Sequence, residues 1–175
     1  MAILKFRAYL EEDESIYRDI AIMHTQSFLD LHYAILKSYD FDNKHEATFY
    51  RSNDNWQRGR EISFSEYEKE YLATPLLMKD TKIGTEIKDT NQRFIYEYDF
   101  VKKWTFLVEL FNISKEVDIL LDYPAMTRKE GIGPQQYGTK SFLGDRFADV
   151  EEKYDLKETL DGFGEEGEIE PKVED

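Results

Sequence analysis

From Leu4 to Leu10 apolar and polar residues alternate. Leu4, Phe6, Ala8 and Leu10 share one parity and Lys5, Arg7 and Tyr9 the other, which predicts a strand with one buried face. The polar run 11–15 predicts a turn. Ile16, Ile20 and Ile22 predict a second strand over about 15–22, with Arg18 interrupting its apolar face, and so short a connection predicts an antiparallel hairpin. The period then changes: Phe28, Leu31, Ile35 and Leu36 fall at helical offsets, with Thr25 or Ser27 as N-cap and an end near Tyr39.

Further along, residues 45–51 are rich in Thr, Phe and Tyr and predict a third strand. Residues 52–60 are turn-rich, and their Trp56 is expected against a face of the sheet, the alternative being an exposed partner-binding ring. Residues 62–79 are expected to be partly helical, because Tyr67 and Tyr71 lie four apart before Pro75, and a short helix is expected over 82–88 behind Thr81. The densest aromatic stretch, FIYEYDFVKKWTF at 94–106, alternates through Phe94, Tyr96, Tyr98 and Phe100 and predicts a core strand. Its partner runs over 103–111, and the two join tightly around Val101, Lys102 and Lys103. Ile119, Leu121 and Tyr123 favour another strand, with a short helix as the alternative; 130–138 reads as a loop and 141–156 as a last helix. Beyond about residue 154 the chain is too polar and acidic to build a core.

Charge sharpens that last point. The formal net charge is −14, and residues 151–175 carry eleven acids against three bases. This balance argues against nonspecific attraction to nucleic acid or anionic membrane, though a local basic patch stays open. Hydrophobic residues make up 41% of the chain, enough for a core, and 34% are charged, which predicts a heavily charged surface. The chain has no cysteine, so disulfides, thiolate catalysis and cysteine-ligated zinc are excluded. No run approaches the ~20 apolar residues that span a bilayer, and the start, MAILKFRAYLEED, is broken by Lys5 and Arg7. The expectation is a soluble, cytoplasmic protein with no cofactor.

With hairpin, helix and aromatic strands in place, the chain resembles the plasmid ORF-3-like family, named after an open reading frame on a root-inducing plasmid. The residues that carry the resemblance are IYRDIAI at 16–22, the pair Leu31-His32, HEATF at 45–49, and YEYDF at 96–100 followed by Trp104. The likeness covers roughly residues 3–112. Two departures stand out. Val101-Lys102 replaces the family's Gly-Asp, and GIGPQQYG at 131–138 lacks the acids of its Pro-Pro-Glu-Asp-Gly-Gly-like loop. The resemblance implies an α+β domain with a mixed or mainly antiparallel sheet; joined to the pattern along the chain, the expectation is a single domain over 1–154 whose sheet is packed by two to four helices, followed by an acidic disordered C-terminal tail, 155–175. It implies no activity, since the family is uncharacterised and some members are passengers of mobile elements.

Candidate chemistry is sparse. His24, His32 and His45 are the only histidines, and with Asp99 they offer nitrogen and oxygen ligands but no diagnostic metal spacing, so no metal is expected. His45 and Asp99 form the most interesting pair, as an acid-base couple or, more blandly, as a hydrogen bond locking the helix-strand connection. No nucleophile sits in a recognisable context, and GIG at 131–133 lacks the rest of a phosphate-binding motif. Tyr96, Tyr98, Trp104 and Phe106 offer a base-stacking platform without a basic groove beside it. Tyr98, Asp99 and Trp104 are the binding candidates. The sequence thus favours a non-catalytic accessory domain contacting another protein through its sheet or tail. The alternatives are a nucleic-acid-associated accessory protein of a mobile element and an enzyme using His45 and Asp99.

Overall fold

Among the described residues eight strands follow one another as β1 (Ile3–Leu10), β2 (Asp13–Met23), β3 (Ala47–Ser52), β4 (Arg58–Ser63), β5 (Leu76–Leu77), β6 (Arg93–Tyr98), β7 (Trp104–Ser114) and β8 (Ala125–Glu130). One α-helix, α1 (Phe28–Ser38), lies between β2 and β3. The computed structural model describes residues 1–66 and 74–138. The chain divides into two compact units, Met1–Gly133 and Pro134–Asp175. Of the second, residues 134–138 are described; they form a turn in which the Gly138 N–H donates to the Gln135 carbonyl at 3.1 Å.

All eight strands form one sheet in the order β5-β4-β3-β6-β7-β1-β2-β8. Every pairing is antiparallel except the short parallel contact of β4 with β5. Register follows the alternation seen in the sequence. Phe6 sits opposite Ile20 on one side and Leu110 on the other, so each apolar row continues across neighbouring strands. The helix covers this row. Phe28, Leu31, Ile35 and Leu36 are buried with Phe6, Phe49, Phe94, Tyr96 and Phe106, and rings meet edge to face, as Phe28 does with Phe49 and Phe94 at 5.2 Å.

Local chemistry fixes both ends of α1. Ser27 accepts from the Asp30 N–H while the Asp30 carboxylate accepts from the Ser27 N–H, a capping box. At the other end the Phe41 N–H reaches the Leu36 carbonyl (2.9 Å), the Asp40 N–H reaches the Lys37 carbonyl (3.2 Å), and Asp40 takes φ 58°. That is a Schellman ending in which an aspartate occupies the left-handed position that glycine usually takes.

The expected α+β class with two to four helices is overturned, because the described residues are mostly strand and hold one α-helix. Where a partial helix is expected over 62–79, β4 ends at Ser63, β5 pairs with it, and Met78–Asp80 makes a single 3-10 turn; residues 67–73 lie outside the described residues. The expected helix at 82–88 is a 3-10 turn, Ile83–Glu86. Gly84 there approaches the His24 backbone so closely that a Cβ would stand 3.1 Å from the His24 carbonyl oxygen. The expected strand over 117–123 is a turn region, and β8 follows it instead. The expected helix at 141–156 and the acidic tail lie outside the described residues. Among the described residues no helix is long and apolar enough to cross a membrane.

Candidate functional site

The tight connection between β6 and β7 gathers the residues that the sequence singled out. Ala47 of β3 pairs with Tyr98 and Tyr98 with Trp104, so the chain just before β3 lies beside the turn that leaves β6. His45 Nε2 stands 3.7 Å from Asp99 Oδ2, with Asp99 almost wholly buried and the His45 side chain one-third exposed. The Tyr98 hydroxyl lies 2.5 Å from the Asp42 carbonyl and 2.8 Å from its Oδ1, to which it donates, and accepts from the His45 N–H at 3.3 Å. Burial, then the Asp42 carboxylate, raises the Tyr98 pKa far above its ordinary value.

Asp99 is foremost a turn residue here. Its φ is 64°, its N–H donates to the Glu46 carbonyl (2.8 Å), and its Oδ1 accepts from the N–H groups of Val101 (3.1 Å) and Lys102 (3.3 Å). Lys103 closes the loop at φ 57° by donating to the Asp99 carbonyl. The positive φ values thus fall on Asp99 and Lys103, and Val101 needs none, which is why a β-branched residue is tolerated where the family has glycine. Asp99→Asn, which keeps the acceptor and tolerates the left-handed backbone, is expected to change stability by less than about 0.5 kcal/mol, whereas Asp99→Ala is expected to cost about 1–2 kcal/mol. Urea denaturation of both variants checks this; equal losses would assign the role to the carboxylate's charge with His45.

Beside this corner the end of α1 and the following loop form an open hollow lined by Tyr33, Lys37, Asp40, Phe41, Asp42 and Asn43. Among the described residues no group of three or more potential ligands is placed to hold a metal. His24 instead accepts from the Ala2 N–H through Nδ1 (3.1 Å), and His32 bonds the Tyr96 hydroxyl (2.6 Å) inside the core.

The aromatic platform turns inward. Tyr96, Tyr98, Trp104 and Phe106 are all 0% exposed, so none presents a ring to a nucleic-acid base. The solvent-side row is different: Trp56, half-buried, meets Tyr9 edge-on at 6.3 Å and stacks under the Arg93 guanidinium at 4.6 Å, while Arg7 lies between Tyr17 (4.0 Å) and Phe111 (5.0 Å) and pairs with Asp19. Trp56 therefore does lie on a face of the sheet, opposite the helix.

Sequence reasoning missed the feature that most departs from a satisfied surface. Between β7 and β8, Ile119 and Leu120 are 90% and 89% exposed, flanked by the partly exposed Val117 and Leu121. This tip is held in shape: the Asp118 N–H donates to the Tyr123 hydroxyl (3.0 Å), Asp118 Oδ1 accepts from the Leu120 N–H (2.9 Å), and Gln26 Nε2 donates to the Tyr123 carbonyl (2.8 Å). The one signal in the sequence was the run of apolar residues between acids in EVDILLD.

The sequence pattern described as plasmid pRiA4b ORF-3-like protein matches residues 3–142. No curated protein matches the chain. A crystal structure of a protein of unknown function from Methanosarcina mazei Go1 superposes with a TM-score of 0.72 at 20% identity, covering 98% of this chain and 95% of that one. At that identity the likeness speaks for the fold alone.

Proposed function

The chain belongs to the plasmid pRiA4b ORF-3-like family, and from that premise, in a family with no assigned activity, we propose that it is a non-catalytic interaction domain that binds another protein. The observation that carries this reading is the Ile119–Leu120 tip. Each of these side chains forgoes roughly 1.5–3 kcal/mol of burial in the isolated chain, and four apolar residues in five positions on an ordered loop are the mark of a contact site rather than of scattered surface hydrophobes. The test is the double variant Ile119→Ser/Leu120→Ser. Because both positions face solvent, its stability is expected within about 0.5 kcal/mol of the parent chain. Recovery of a specific protein from cell extract by the immobilised chain is expected to fall at least tenfold; equal recovery by both chains would overturn the reading. The acidic tail is a second contact candidate, and deletion of residues 157–175 separates its share from that of the tip.

An enzyme reading keeps one favourable observation, the 3.7 Å approach of His45 to Asp99 two residues along the chain from the hollow, within the reach that acid-base partners adopt before substrate binds. Turnover of ester or phosphate substrates by the parent chain and not by His45→Gln would favour it.

A further inference from the structure

The tip's charges narrow the partner, and on the footing that the tip is a contact site we propose that its partner is a different protein offering an apolar cleft with a rim of Lys and Arg. Within the loop itself, residues 115–122, Ile119 and Leu120 are accompanied by three exposed carboxylates, Glu116, Asp118 and Asp122, and one base, Lys115. None of the three is in an ion pair among the described residues. The loop's internal bonds run from main-chain N–H groups to the Ser114 and Tyr123 hydroxyls and to one Asp118 oxygen, so most of the carboxylate oxygens stay free of the loop's own bonding and the negative charge is carried outward with the apolar pair.

Charge complementarity then decides between occupants. A second copy binding through the same patch would bring the identical surface against itself, setting six carboxylates against two lysines across the apolar contact. An anionic membrane meets the same repulsion, and nucleic acid repels the tip while offering Ile119 and Leu120 nothing to bury them. A basic-rimmed cleft covers the apolar pair and neutralises the acids at once, with the charges speeding and orienting the encounter.

The probe is a displayed library of small folded domains, each with a randomised concave face, selected on the immobilised full chain and counter-selected on the Ile119→Ser/Leu120→Ser chain, so that only tip-dependent binders remain. These are expected to combine apolar residues with Lys or Arg. Their affinity for a Glu116→Gln/Asp122→Asn chain is expected to be roughly tenfold weaker at low salt, as for two exposed ion pairs, and that gap is expected to close at about 1 M salt, where the screening length shrinks to ~3 Å. Tip-dependent binders that are apolar but neutral or acidic would overturn the basic rim while leaving the interaction reading intact. No tip-dependent binder at all would remove both. Concentration-dependent dimerisation that the double variant abolishes, or tip-dependent cosedimentation with phosphatidylcholine vesicles, would assign the tip to a second copy or to a membrane and overturn the proposal.

Discussion

Lowering the pH from 6.5 toward 4 is expected to remove about 3 kcal/mol of folding stability through His32 alone. His32 is 1% exposed on the inner side of α1, hydrogen-bonded through Nδ1 to the buried Tyr96 hydroxyl and ringed by Tyr33, Phe64, Tyr96 and Tyr98. Burial pushes its pKa down from 6.5 to about 4, since no carboxylate repays the desolvation of an imidazolium there. The sign follows directly. The unfolded chain takes up the proton first as pH falls, so this contribution is complete above pH 6.5, declines from there to about pH 4, and is flat below. Each tenfold difference in proton affinity between the folded and unfolded chain is worth about 1.4 kcal/mol, so about 2 kcal/mol is gone by pH 5. Chemical denaturation at pH 7.5, 6 and 5 measures the slope. His32→Phe/Tyr96→Phe removes the titrating group and its partner together, leaving no buried hydroxyl orphaned, and is expected to flatten the slope over this range. An unchanged slope in the double variant would sink the assignment to His32.

Much of this core was legible because periodicity reports which side chains face one way. The alternation of β1, the aromatic strand pair and the helical offsets of α1 all arise from one apolar row closed under one helix. What periodicity does not report is which face is covered. Tyr96, Tyr98, Trp104 and Phe106 present the same pattern whether they line a core or a stacking platform, and only the placement of α1 turns them inward.

The missed elements share a different cause. β8, AMTRKE, is an edge strand with its central residues exposed, and β4, RGREIS, carries charge and Gly59 along its first half; backbone pairing with β2 and β3 makes them strands, and no side-chain alternation marks them. The reverse error occurred at 117–123, where Ile119, Leu121 and Tyr123 alternate without pairing to anything, because they belong to an exposed tip. His45 and Asp99 were brought together as the sequence suggested, yet the bonds of Asp99 to two turn N–H groups follow from its left-handed backbone, which composition does not encode.

Arg18 is the other place where a break in the pattern carried meaning, and replacing it is expected to cost about 3–5 kcal/mol. It shares the core face of β2 with Ile20 and Ile22, opposite Ala8, and is 1% exposed. Its Nε donates to the Ser38 carbonyl at the end of α1 (2.9 Å), its Nη1 to the carbonyls of Tyr17 (2.9 Å) and Glu130 (2.8 Å), and its guanidinium lies 4.5 Å from the centre of the Tyr39 ring. One side chain thereby ties β2, the negative end of the helix dipole and the end of β8. Apolar replacement of a buried charge is sometimes harmless when both partners of an ion pair are exchanged together. That escape is closed here, because the acceptors are main-chain carbonyls that no substitution removes, and Arg18→Met leaves the buried Ser38 carbonyl and the part-buried carbonyls of Tyr17 and Glu130 without their donor. Arg18→Lys is expected to cost about 2 kcal/mol, since an ammonium cannot reproduce the planar fork or the stack on Tyr39. Urea denaturation at pH 7.5 ranks the two variants. A Met variant within 1 kcal/mol of the parent chain would show that water reaches the freed carbonyls, and that the strand ends and helix hold together without the guanidinium.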